Sequence, residues 1–348
     1  MNGRDTSRGD GTGWLDSNAA PARFGGASTD FDFESDGKRT GTVRFVISGG
    51  TLGWQTVVMP VGVVKNGDGP TLTVIGGTHG DEVEGPVAAL KLLHRLQPAD
   101  IRGRLIVLPA LNVQAVEAAQ RTSPSDGLDL NRCFPGDPDG SIAQMTAHFV
   151  DQHILPVSDI VLDIHTGGRF LRFPGSLWLL ECPDAGHLGR TIEAGRAFGA
   201  PYTIVSASLG GDMSESAARH GCIYLSTELS GAGSIDSDLL ALTERGILRL
   251  LAHLGMAAGA EVAAPTRMMT VAGSDAVVLA PRNGLFEPLV RIEDRVEAGQ
   301  HLGVIHAFDE PGGAGTPLPS PIAGMVYGLR WPAHVRRAER MAFIATDA

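Results

Sequence analysis

No apolar run in this chain is long enough to cross a bilayer; the longest, residues 160–164 and 247–254, fall far short of the roughly 20 a spanning helix needs. No apolar segment follows Arg4 and Arg8 to make a secretion signal, so the expected location is the cytoplasm, with no membrane partner. Basic runs interleaved with aromatics are also missing. With 28 Lys and Arg against 39 Asp and Glu, and a net charge of −11, nucleic acid is not an expected partner. Cysteine is scarce: Cys133, Cys182 and Cys222 are odd in number and far apart, which excludes both a disulfide framework and a Cys-x-x-Cys zinc knuckle. Lysine is absent after Lys91.

What remains describes a globular enzyme-sized chain. Its 348 residues, 43% of them hydrophobic, can bury a full core and suggest one large domain with a smaller one. Residues 1–38 are rich in Gly, Ser, Asp and Asn and are expected to be a flexible tail. Strand-like segments follow at 42–47 and 56–64, ending in the turn Asn66-Gly67-Asp68-Gly69. A strand at 71–75 then leads through a loop to a helix at 86–96, whose Val87, Leu90, Leu93 and Leu96 share one face. The alternation continues with strands at 104–108, 160–164 and 222–227 and helices at 142–154, 188–198 and 234–254. This pattern predicts an α/β catalytic domain over 39–257, built on a mixed, centrally parallel sheet covered by helices. Its active site belongs beyond the carboxyl ends of the strands. Residues 258–348 read as an all-β unit of short strands punctuated by Gly and Pro. That unit resembles the barrel-sandwich fold of lipoyl and biotinyl carriers, but residues 320–326 hold no Lys to carry a swinging-arm cofactor.

Four groups of residues can do chemistry. In Gly76-Gly77-Thr78-His79-Gly80-Asp81-Glu82, a glycine-rich loop after a strand lets His79 and Glu82 converge on one point, as a zinc site requires. A His-x-x-Glu pair alone is weak. His165, at the carboxyl end of the 160–164 strand, supplies the second imidazole, and a His₂Glu set leaves a fourth position for water or substrate. Asp163 is read as a buried hydrogen-bonding residue or an orienter of a ligand histidine. In the segment Asp126-Gly127-Leu128-Asp129-Leu130-Asn131-Arg132-Cys133, the Asn131-Arg132 pair offers amide and guanidinium donors to a substrate carboxylate. Arg121 can polarise a scissile carbonyl. Glu228, at the end of another apolar strand, is placed to act as general base toward water activated by a metal.

Together these motifs, in this order, resemble the succinylglutamate desuccinylase and aspartoacylase family, relatives of the zinc carboxypeptidases. The resemblance runs from about residue 42 to the C-terminus. It implies one Zn²⁺ per chain held by His79, Glu82 and His165, with Glu228 as general base, Asn131 and Arg132 on the substrate carboxylate, and Arg121 on the carbonyl. The loop between Arg121 and Asn131 looks longer than in aspartoacylases. Within the family, residues 77–85 and 123–140 look closest to the deacetylases of ectoine breakdown, which cleave N-acetyl-2,4-diaminobutyrate. The implied partner is therefore a small N-acyl amino acid; a homo-oligomeric state stays open. A product with an extra ammonium calls for an acidic pocket residue, with Asp212, Glu215 and Glu181 as candidates. The competing readings are a desuccinylase or aspartoacylase acting on another N-acyl amino acid, a zinc carboxypeptidase, and a non-catalytic binding module.

Overall fold

The computed structural model describes residues 22–24, 27–29, 31–48, 54–181, 184–206, 211–259, 261–271 and 273–348. A long hairpin opens the main sheet. Gly37–Ser48 and Trp54–Asn66 pair antiparallel from Gly37↔Lys65 to Ser48↔Trp54. Val43, Phe45, Val57, Met59, Val61 and Val63 alternate along them and are buried, while Val46 and Val58 face outward. Trp54–Asn66 then pairs antiparallel with Gly103–Leu108. From there Gly103–Leu108, Thr71–Gly76, Ile160–Thr166 and Ile223–Leu229 lie side by side and parallel. Ser176–Leu180 is antiparallel to Ile223–Leu229, and Tyr202–Ser206 and Arg267–Thr270 continue the sheet in parallel. The sheet is thus mixed with a parallel centre.

The central strands are buried along their whole length, which is why they read as continuous apolar runs rather than alternating ones. Side chains at successive positions point to opposite faces and feed two cores. On one face Ile75, Ile106 and Val161 pack under the Ile142–Phe149 helix. On the other, Val74, Val107 and Leu162 meet the helices Glu84–Arg95, Ala185–Phe198 and Ser237–His253. The helix expected over 142–154 is α-helical only to Phe149, continues as a wider turn over Val150–Ile154, and ends at the turn containing Pro156. Strands Ser176–Leu180 and Tyr202–Ser206 and the short helix Met213–Arg219 were not foreseen.

The flexible tail expected over 1–38 needs correction where it is described. Ala22–Phe24 pairs with Ala27–Thr29, which pairs with Gly37–Ser48. Phe31 and Phe33 are buried and meet edge to face with ring centroids 4.9 Å apart. Two rings flanking one acid are too short a pattern to register against the polar composition of the whole stretch.

The C-terminal strands form a second sheet in the order Thr316–Pro319, His301–His306, Gly284–Pro288, His334–Val335. The last strand, Arg340–Asp347, belongs to both units. It pairs with Val277–Leu279 and Gly324–Arg330 and, at its end, with Arg267–Thr270 of the main sheet. The main sheet thereby continues past residue 257, where the sequence pattern suggested the catalytic domain would close. No helix among the described residues is long and apolar enough to cross a membrane.

Candidate functional site

The loop after Thr71–Gly76 is held in an unusual path by two glycines. Gly77 has φ 69°, and a Cβ on Gly80 would lie 1.9 Å from the carbonyl of Ala115. Backbone bonds from Leu111 and Asn112 to the carbonyls of Gly76 and Gly77, and from Gly80 to Gln120, fix the turn. It delivers His79 and Glu82 to the carboxyl edge of the sheet. His165 arrives there from Ile160–Thr166, and Glu228 lies directly across the ladder from it, with their Cα atoms in register.

His79, Glu82 and His165 converge, with one ligand atom from each lying within 4.8 Å of the others. All three are almost fully buried, at 3%, 2% and 4% exposure. His79 Nδ1 stands 2.7 Å from Glu82 Oε1, and His165 Nδ1 stands 2.9 Å from Glu82 Oε2, which also accepts from the Thr166 amide. Each imidazole is gripped from behind through its other nitrogen. His79 Nε2 meets Asp129 Oδ1 at 3.0 Å, and His165 Nε2 meets Asp163 Oδ2 at 2.8 Å. An imidazole that donates its Nε2–H to a carboxylate keeps its Nδ1 lone pair turned toward the cluster, the arrangement metal-binding histidines use. Asp163, fully buried, also accepts from Thr78 Oγ1 and from the Tyr224 hydroxyl.

The charges around the cluster make it a place for a cation. Three carboxylates, Glu82, Asp129 and Asp163, surround two imidazoles. Burial works against its charge, yet the two histidines hold the Glu82 carboxyl well below the usual range. For His165, burial opposes protonation, but Asp163 and Glu82 outweigh it and raise its proton affinity well above the ordinary value. A buried site of this anionic character is satisfied by positive charge held among its donors, and the N, N, O set fits a zinc ion.

Arg121 and Glu228 flank the cluster. The Arg121 guanidinium is partly exposed and donates through Nε and Nη2 to Asp129 Oδ2 at 3.1 and 2.9 Å, with Nη1 3.6 Å from Glu82 Oε1. Asp129 therefore holds a ligand histidine with one oxygen and Arg121 with the other. Glu228 is the opposite case: its Oε2 is buried and has no hydrogen-bond partner. Burial, with Glu82 nearby, pushes its carboxyl up to about 8.

Asn131 and Arg132 sit on the short turn Leu130–Arg132 that Asp129 caps. Asn131 Oδ1 accepts from the Met213 amide, leaving its NH₂ as the end that can face a ligand. Arg132 is exposed and donates to Asn131 O at 2.5 Å; among the described residues no hydrogen bond joins it to the His–Glu–His cluster. Among the acidic candidates, Asp212 caps Met213–Arg219 and Glu215 accepts from the Gly211 amide, both beside the Asn131 turn, whereas Glu181 is exposed. The Cys133 thiol is pushed up to about 11 by burial and by Asp126 and Asp129, so it is not a nucleophile. Cys182 lies outside the described residues.

Known proteins resemble this chain along most of its length. Residues 68–254 match the catalytic domain profile of succinylglutamate desuccinylase/aspartoacylase. The N-alpha-acetyl-L-2,4-diaminobutyric acid deacetylase of Halomonas elongata is 38% identical over 323 residues, 91% of this chain and 94% of that protein. A solved succinylglutamate desuccinylase/aspartoacylase from Rhodobacter sphaeroides superposes with a TM-score of 0.88 at 40% identity, covering 93% of this chain and all of that one (100%). The product-bound ectoine utilization protein EutE of Ruegeria pomeroyi gives 0.89 at 30% identity, over 93% of this chain and 100% of its own.

Proposed function

Because the chain belongs to the succinylglutamate desuccinylase/aspartoacylase family, we propose that it is a zinc-dependent deacetylase that hydrolyses the amide bond of N-acetyl-2,4-diaminobutyrate in ectoine catabolism. The observation that carries this reading is the convergence of His79, Glu82 and His165 beside a buried, unpartnered oxygen of Glu228. The acetyl-diaminobutyrate assignment draws on the named activity of the Halomonas relative.

In this reading His79, Glu82 and His165 hold one Zn²⁺, and Asp129 and Asp163 fix the two imidazoles in the tautomer that presents Nδ1. When bound, zinc supplies Lewis acidity that polarises a carbonyl and lowers the pKa of water toward about 7. Glu228 accepts the proton released as water oxygen bonds to the acyl carbon, and returns it to the nitrogen as the C–N bond breaks. Its place directly across the ladder from His165, with Oε2 free of hydrogen-bond partners, suits that shuttle. Arg121, braced by Asp129, directs its remaining N–H donors at the acyl oxygen as negative charge builds there. Asn131 and Arg132 bind the substrate carboxylate, and Asp212 or Glu215 meets its ammonium. In the same reading the C-terminal β unit is a barrel-sandwich without a carrier lysine, joined to the catalytic domain through Arg267–Thr270 and Arg340–Asp347, which extend the main sheet past residue 257.

A substrate screen tests the assignment. Purified enzyme with zinc should release acetate from N-acetyl-2,4-diaminobutyrate far faster than it cleaves N-succinylglutamate, N-acetylaspartate or a peptide. A preference for a succinyl or aspartyl substrate would move the chain to another activity within the family.

The carboxylate clamp makes a separate, smaller expectation. Arg132→Ala should weaken transition-state binding by about 1.5–3 kcal/mol, the range for a hydrogen bond to a charged group; the guanidinium is exposed, so the larger loss of a buried pair is not expected. The amide analogue of the substrate has no such charge to lose. Wild type should prefer acid over amide and Arg132→Ala should lose most of that preference; equal discrimination by both would remove Arg132 from the site.

A further inference from the structure

Tyr327 comes from the C-terminal unit, on the Gly324–Arg330 strand, yet it reaches Ser176–Leu180, the strand paired with the one that carries Glu228. Its side chain is fully buried in a small core that joins the two units, among Phe173, Ile204, Met269, Met325 and Phe343. A hydroxyl in such a place needs partners, and it has two: Ser176 Oγ at 2.5 Å and Trp178 Nε1. Ser176 Oγ in turn lies 3.1 Å from the backbone oxygen of Glu228, the residue it faces across the ladder.

The direction of this chain is fixed by its ends. An indole nitrogen can only donate and a carbonyl oxygen can only accept. The three bonds therefore run one way: Trp178 Nε1–H to Tyr327, Tyr327 O–H to Ser176, and Ser176 O–H to Glu228 O. No member can rotate without leaving a buried group unpaired. Glu228 is the last residue at which Ser176–Leu180 and Ile223–Leu229 pair, so this bond pins the peptide plane where the ladder ends. The carboxylate itself has an oxygen with no hydrogen bond to hold it, and its placement depends on the backbone that bears it.

We propose that Tyr327 is a positioning residue for Glu228: through Ser176 it fixes the backbone of the base, making the C-terminal unit part of the catalytic apparatus. The proposal rests on the deacetylase reading for its kinetic consequence, though not for its structural one. Tyr327→Phe preserves the ring and removes the hydroxyl. Ser176→Ala removes the last bond of the chain and leaves Trp178 paired with Tyr327.

Both variants should keep zinc and lower kcat roughly tenfold with KM changed less than twofold, since a small displacement of a reacting group acts on the chemical step. Because they break the same relay, the double variant should be no slower than the slower single. The second readout needs no activity: native-state hydrogen exchange at the Leu229 amide, which shares the peptide plane of Glu228 O, should speed up in both variants while Leu225 stays protected. A Ser176→Ala enzyme with wild-type kcat, multiplying effects in the double variant, or unchanged exchange at Leu229 would each overturn the proposal. If wild type fails to deacetylate at all, the functional reading falls and the exchange measurement alone decides the role of Tyr327.

Discussion

Glu228→Gln is expected to keep stoichiometric zinc and lose deacetylation by a factor on the order of 10²–10⁴, the usual contribution of a positioned acid–base group. The substitution keeps the volume and the strand. It leaves an amide that cannot accept a proton from water and carry it to the amine. The substrate constant should change little, because Glu228 ligates neither metal nor carboxylate in this reading. Stability should change little. The native carboxyl has a buried oxygen without a partner, and glutamine keeps its shape, so the zinc-bound variant should unfold close to the wild-type temperature. A Glu228→Gln enzyme that turns over near the wild-type rate would assign the base to another group.

His165→Ala should abolish bound zinc and with it all activity. It removes one of only three protein bonds and also strips Asp163 of a partner. Asp163 is fully buried; without the imidazole it retains, among the described residues, the hydroxyls of Thr78 and Tyr224 as side-chain hydrogen-bond donors. Removing one partner of a buried pair typically destabilises by about 3–5 kcal/mol. His79→Ala should lose zinc too, with a milder effect on folding, since Asp129 stays paired to Arg121 and to the Asn131 amide. Chelation provides the control. It should lower the melting temperature of wild type and leave that of His165→Ala unchanged, because only a chain that binds the ion gains stability from it. Full zinc occupancy in both alanine variants would sink the ligand assignment.

The residues that were legible in the sequence share a local signal. His165 and Glu228 each close an apolar strand, and His79 and Glu82 follow one after a run of glycines, so strand polarity alone brings them to one edge. Asp163 stood two residues before His165 and was open to reading as its orienter, and it does bond Nε2. Asp129 lay inside a quoted motif without a role, because its contact to His79 spans 50 positions and is set by the path of a loop. Tyr224, Ser176 and Tyr327 gave no signal at all, since a single hydroxyl in an apolar strand reads as a core residue until its neighbours across the sheet are known. The parallel centre followed from the alternation of strands and helices. The reversal at Ser176–Leu180 did not, and it is that antiparallel pairing which turns Ser176 toward Glu228.

The shared strand Arg340–Asp347 also bears on how substrate comes and goes. Its ladder runs from the C-terminal unit into the main sheet, ending on Thr270↔Thr346 and Met269↔Asp347. Swinging the two units apart would break those hydrogen bonds and expose the aromatic seam around Tyr327 and Phe343. Hinged opening of the kind that gates many two-domain enzymes is thereby disfavoured. Substrate entry and product release therefore do not rely on the two units parting.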